Sequence, residues 1–199
     1  MRIAISGSHS LGKSTVVRDW REAHPCYLVE EEPYRALSLN GPYEIKFMDK
    51  STKLHNGLQL FYSISRVHRY SSINDNVIFD RCPIDYLAYS QYTAEIGKTD
   101  IDSEFVLSMV DAVRESLDHL DILAFVPSSM EWPVSIEADG IRPLNIEYRD
   151  SVDLIFKMIY RENLYNLLPA LGNLKLIELI GDQTQRLHQI QAAIESFAP

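Results

Sequence analysis

The sequence predicts an α/β fold in which about five parallel strands form a sheet with helices on both faces. Short continuous apolar runs alternate with longer helical patterns, as expected for strands buried on both sides and joined by crossover helices. With 199 residues the chain suits one domain spanning 1–199, enough to bury a core on each side of a sheet. At 46% hydrophobic and 24% charged, the composition is that of a folded globular chain and not of a disordered one.

In chain order, strands are expected at 2–6, 27–30, 77–80, 122–126 and 174–179, all reading as buried runs. Helices are expected at 13–22, 52–71, 83–95, 103–117, 147–168 and 184–196. Pro83 suits a first helical turn and Gly172 a helix stop, because proline needs no backbone donor there and glycine tolerates a left-handed cap. The stretch 127–145 is rich in Pro, Ser and Gly, and composition leaves a mobile excursion and a rigid surface loop equally open.

A net charge of −9 argues against a nucleic-acid polymer as partner, since a phosphate backbone calls for a continuous basic stripe. A small anionic ligand stays compatible, because a few arginines and one helix N-terminus can focus positive potential in a cleft. Cys26 and Cys82 are too few for a disulfide framework and fit a reducing cytoplasm. The opening MRIAISGS enters a strand at once, leaving no room for a targeting leader. No run approaches the ~18 apolar residues of a membrane span. The expectation is a cytoplasmic protein without membrane contact, and pairing of two chains is left open.

The strongest local signal is Gly7-Ser8-His9-Ser10-Leu11-Gly12-Lys13-Ser14, followed by Thr15. It matches GxxxxGK[ST] between an apolar strand and an amphipathic helix, the context a phosphate cradle requires. The glycines let backbone N–H groups turn toward phosphates, and the following helix adds its positive dipole end. Lys13 is expected to supply a charge to the β- and γ-phosphates, and the Ser14 hydroxyl to ligate magnesium. His9, at a tolerant middle position, reads as an exposed loop residue. The competing reading of the whole segment is a tight turn that happens to carry the pattern.

A magnesium triphosphate needs a carboxylate at the end of a neighbouring strand. Asp80 ends the run NVIFD and is followed by Arg81, placed to stabilise the transferred phosphoryl charge. The alternative is an Asp that caps the next helix, with Arg81 as its ion-pair partner. The second strand runs into Glu30-Glu31-Glu32-Pro33-Tyr34-Arg35, bringing carboxylates to the sheet edge where ligands bind. Glu32 is the preferred base toward an acceptor hydroxyl. Gln59 and Arg66, two helical turns apart, can face one cleft, or be plain surface residues.

These segments resemble the deoxynucleoside-kinase and thymidylate-kinase group of P-loop kinases, and more closely a family of small bacterial AAA-type ATPases related to nicotinamide-riboside kinases. The resemblance is carried over most of the chain by GSHSLGKST, the EEP segment, LQLFYSISR, FDRCPIDYLAYSQY and DGIRPLNIEYR. It implies a kinase-type P-loop fold with strand order 2-3-1-4-5 and a lid at about 127–149. It also implies that Glu32 acts as base toward a sugar hydroxyl and that Gln59 and Arg66 contact a nucleobase. Arg142 and Arg149 resemble the lid pair that closes over the phosphates, and Gly181-Asp182 before a helix containing Arg186 resembles the adenine-side loop. Asp80-Arg81-Cys82 stands for the group's DRS-like triplet, with Cys replacing a small hydroxyl residue. Asp85, the acidic residue after the triplet and a substrate-side candidate, sits one position off the deoxynucleoside-kinase spacing.

The functional expectation is transfer of the γ-phosphoryl of magnesium ATP to a small-molecule hydroxyl, with a nucleoside-like acceptor preferred. A carboxylate at the acceptor side disfavours a monophosphate, although Arg35 could offset the repulsion, so a nucleoside monophosphate kinase is one alternative. A switch ATPase read by a partner protein is the other.

Overall fold

The computed structural model describes residues 1–70, 72, 75–134, 145–169 and 174–197. Five strands, β1 (Arg2–Ser6), β2 (Leu28–Glu30), β3 (Val77–Asp80), β4 (Ile122–Phe125) and β5 (Lys175–Glu178), form one sheet in the order β2-β3-β1-β4-β5. Every pairing is parallel, with Ile5 opposite Asp80 and Ser6 opposite Phe125. The carboxyl ends of β1, β3 and β4 therefore share one edge, and the order reverses at β1, where an open α/β sheet makes its ligand crevice.

Alternate residues of the three central strands feed two cores. Ile3, Ile5, Ile78, Ile122 and Ala124 pack against Val16 and Trp20 of α1 (Lys13–Ala23) and Ile190 of α6 (Gln183–Glu195). Ala4, Val77, Phe79, Leu123 and Phe125 face a larger core. That core is closed by α2 (Lys53–Arg69), α3 (Pro83–Ile96), α4 (Ser103–Leu117) and α5 (Ile146–Glu162). Thr52, Asp102, Asn145 and Asp182 cap α2, α4, α5 and α6 by accepting a backbone N–H of the first turn, which satisfies donors the helix leaves open.

Several expectations are corrected. The edge strands are not fully buried: Leu28 is 54% and Leu176 40% exposed, because an outer strand has a neighbour on one side only. The helix expected to reach 168 stops at Glu162, where Asn163 takes a left-handed conformation (φ 53°), and a 3₁₀ turn Leu164–Asn166 follows. A π-helical turn at Arg35–Leu39 and a 3₁₀ turn at Met48–Lys50 occupy the connection from β2 to α2, which had no predicted structure. Gly172 lies outside the described residues. Among the described residues, no helix is long and apolar enough to cross a membrane.

Candidate active site at the strand carboxyl ends

The cradle leaves β1 through Gly7, whose φ of +138° and position beside Val126 exclude a side chain: a Cβ there would lie 2.5 Å from the Val126 carbonyl oxygen. Gly12 is left-handed (φ +79°) and gives α1 no side-chain cap, so the first N–H groups of the helix face the cradle unclaimed by one. Lys13 is buried and its ammonium donates to the Ser8 carbonyl across the loop. Arg186 is also buried, donates from Nη1 to the Leu11 carbonyl at 2.7 Å, and lies beside Gly12. Burial pulls its pKa down.

The exposed Ser14 hydroxyl hydrogen-bonds Asp80. Asp80 is buried and its Oδ1 has no hydrogen-bond partner. Burial, then the charge of Glu32, raises its pKa, while Arg81, Ser14 and Lys13 act against that rise. A carboxylate held this way fits a cation-binding role. Among the described residues no group of three or more His, Cys, Asp or Glu side chains could hold a metal ion.

Arg81 follows Asp80 with a left-handed backbone (φ 102°), a costly conformation for a residue with a Cβ. Its Nε donates to Glu32 at 3.0 Å, and its Nη1 to the Gly7 carbonyl at 2.8 Å, Asp85 at 3.1 Å and the Tyr89 hydroxyl at 3.3 Å. Burial works against its charge, but Tyr89, Glu32 and Asp85 outweigh it and hold the guanidinium protonated.

Beside this group lies a cavity lined on its polar side by His9, Glu32, Asn56, Gln59 and Arg81, and on its apolar side by Phe47, Tyr86, Tyr89 and Tyr148. At ≈ 30 Å³ it holds about two waters in this conformation, so a ligand of nucleoside size requires its aromatic walls to part.

Glu32, Gln59 and Arg81 thus meet around one cavity, next to Asp80. Other candidates lie elsewhere. Arg66 is bound to Glu30, whose buried carboxylate also accepts from the Tyr70 hydroxyl, so the guanidinium neutralises a charge under α2 and does not line the cavity. Arg35 is exposed at the π-helical turn. Asp85 is 0% exposed, caps α3 and bonds Ser6 and Arg81, which removes it from the cavity. Arg149 donates from Nη1 to the Val134 carbonyl at 2.9 Å and from Nε to Asp150 at 3.0 Å, so its guanidinium faces the 128–134 segment, while its own carbonyl accepts from Ser8 Oγ at 2.9 Å. Arg142 lies outside the described residues.

His9 corrects the sequence reading most clearly. It is 1% exposed and stacks on Tyr148 with ring centroids 4.9 Å apart, putting a cradle side chain into the cavity wall. Asn56, Tyr86, Tyr89 and Tyr148 were also missed. Their signal was spacing: Asn56, Gln59 and Ser63 make a buried polar stripe on α2, and Tyr86, Tyr89 and Thr93 a matching face of α3.

Residues 2–175 match the model of a protein family described as AAA domain. No curated protein matches the chain in sequence. Among solved structures, a deoxyadenosine kinase from M. mycoides with bound dATP superposes with a TM-score of 0.65 at 16% identity, covering 98% of this chain and 100% of that one. An NadR protein in complex with NR gives 0.65 at 17% identity, over 98% of this chain and 50% of that one. Thymidylate kinase from Candida albicans gives 0.62 at 16% identity, over 98% and 91%. At such identities the likeness is one of fold, and it agrees with the sheet order observed here.

Proposed function

The chain belongs to the AAA domain family, and from that premise we propose that it is a phosphotransferase moving the γ-phosphoryl of magnesium ATP to the hydroxyl of a small nucleoside-like acceptor. The observation that carries the reading is the juxtaposition of the cradle with the cavity: Arg81 touches the Gly7 carbonyl on one side and Glu32 on the other. A donor phosphate on the cradle and an acceptor hydroxyl at Glu32 would meet across that guanidinium, the arrangement in-line transfer needs.

The residues divide the work. The cradle N–H groups and Lys13 hold the phosphates; Ser14 and Asp80 would hold magnesium, which would supply charge neutralisation to the transferred phosphoryl group. Glu32 orients the acceptor hydroxyl and takes its proton as the phosphorus–oxygen bond forms. Arg81 fixes Glu32 and faces the developing charge. Gln59 and Asn56 present amide groups to a planar polar ligand between the rings of Phe47, Tyr86, Tyr89 and Tyr148. Among the described residues lining the cavity, Arg81 is the one Lys or Arg, and it already serves two carboxylates, which favours a neutral acceptor over a monophosphate. Among the residues assigned by resemblance, Arg149 and Arg142 remain candidates to approach the phosphates, and Arg186 to support the donor side through Leu11.

The test is magnesium-dependent ADP release across nucleosides, nucleoside monophosphates and nicotinamide riboside. One acceptor class should stimulate release. Lys13→Ala should lower the stimulated rate by roughly 10²-fold or more, and Glu32→Gln by about 10²- to 10⁴-fold. Slow release indifferent to every acceptor would sink the reading and leave a switch ATPase.

A further inference from the structure

Helix α5 meets the phosphate-binding end of the chain twice. Its first turn holds the cradle through Tyr148 on His9 and the Arg149 carbonyl on Ser8. Farther along, Tyr160 donates to Ser6 Oγ at 2.6 Å, at the end of β1 and one residue before the cradle. Ser6 donates in turn to Asp85 Oδ1 at 2.5 Å, and Asp85 Oδ2 accepts from Arg81 Nη1 at 3.1 Å. Arg81 Nε completes the chain on Glu32 Oε1 at 3.0 Å.

All five side chains are buried, with Ser6 and Asp85 at 0% exposure. Burial raises the pKa of Tyr160 well above the usual phenol value, so its hydroxyl stays a neutral donor. Burial also raises that of Asp85, against the pull of Arg81, Lys13 and Ser6. A carboxylate so enclosed is tolerable only if its oxygens are satisfied. Ser6 and the Cys82 backbone N–H serve Oδ1, and Arg81 serves Oδ2. Polar chains of this kind stiffen when every member is satisfied.

We propose that Tyr160, Ser6 and Asp85 are positioning residues that fix the Arg81 guanidinium, and through it Glu32, at the wall of the acceptor cavity. The inference rests on the phosphotransferase reading above. None of the three lines the cavity, so losing one of them costs turnover and not acceptor affinity. Arg81 would keep the Gly7 carbonyl and Tyr89 as partners but lose the contact that sets its rotation against Glu32. No proton changes hands along the chain of bonds; its role is geometric.

Tyr160→Phe and Ser6→Ala each remove a single hydroxyl and carry the test. Asp85→Asn is a third variant, used only if its circular dichroism and Tm show it folded, since Asp85 also caps α3. With the acceptor that stimulates the wild-type chain, kcat should fall about ten-fold in each single variant, as small displacements near a reacting centre do. KM for ATP and for acceptor should stay within about two-fold. The double variant should lose little more than the worse single one, because both hydroxyls act through Asp85. A lower Tm with kcat intact, or a raised acceptor KM with kcat intact, would overturn the assignment while leaving the phosphotransferase reading in place. A wild-type chain that no acceptor stimulates would overturn both.

Discussion

Asp80 and Arg81 are adjacent residues with opposite local problems. Asp80 keeps a carboxylate oxygen buried and unpartnered, while Arg81 has its Nε and Nη1 donors engaged but holds a left-handed backbone to do so. Both features disfavour the chain without ligand and suit a site that receives a cation and a phosphate. The sign for Asp80 follows from its raised pKa: the folded state disfavours the charged carboxylate more than the unfolded chain does, so this group lowers stability at neutral pH and relents as pH falls. Asp80→Asn should therefore raise the Tm of the ligand-free protein at pH 7 by a few degrees while abolishing magnesium-dependent nucleotide turnover. Thermal unfolding and ADP release, measured on one preparation, check both halves; a variant less stable than wild type would show that Asp80 is held for the fold.

At the scale of elements, the turn from β1 into the cradle is a tight joint. Gly7→Ala would press a Cβ against the Val126 carbonyl at φ +138°, and a strained backbone of this kind costs on the order of 1–3 kcal/mol before the clash is counted. Urea denaturation should show at least that loss; stability within error of wild type would mean that β1 and β4 part easily at this edge. This joint was legible because its information is local: two glycines, a lysine and the flanking strand and helix patterns lie within about a dozen residues. The central strands were legible for a related reason, each being a continuous apolar run that needs only a sheet on either side. Arg66 was misread because its partner Glu30 lies 36 residues away, and helical spacing says which way a side chain points but not which charge already waits there. His9 failed likewise, its burial depending on Tyr148 from α5. The end of α5 was overrun because Leu164, Leu167 and Leu168 continue an apolar pattern past Asn163, where the left-handed residue and not the hydrophobic period stops the helix. The turns between β2 and α2 carry no capping or periodic signal that sets them apart from a loop.

On the scale of the whole molecule, the net charge of −9 makes mild acid an ambiguous stress. Protonating histidines moves the total toward neutrality and relieves self-repulsion, yet one histidine pair opposes that gain. His119, in the turn after α4, packs its ring against His68 at the end of α2 with centroids 4.1 Å apart. Burial first, then the charges of His68 and Arg2, lower its pKa below the usual imidazole value of about 6.5, with Asp118 acting the other way. A lowered histidine pKa means that the unfolded chain takes up the proton first as pH drops through 6.5, so the stability this site holds at neutral pH is lost on the way down to the folded pKa. The local and global effects have opposite signs, and a single substitution separates them. In His119→Gln the local penalty is gone, so urea midpoints between pH 7.5 and pH 5.5 should fall less than in the wild type, with ADP release at neutral pH unchanged because the pair lies away from the strand carboxyl ends. Matching midpoint changes in the two proteins would show that His119 does not carry the acid response; Asp121 beside Arg2, whose pKa is lowered, withdraws its stability only below the ordinary carboxylate range, outside this window.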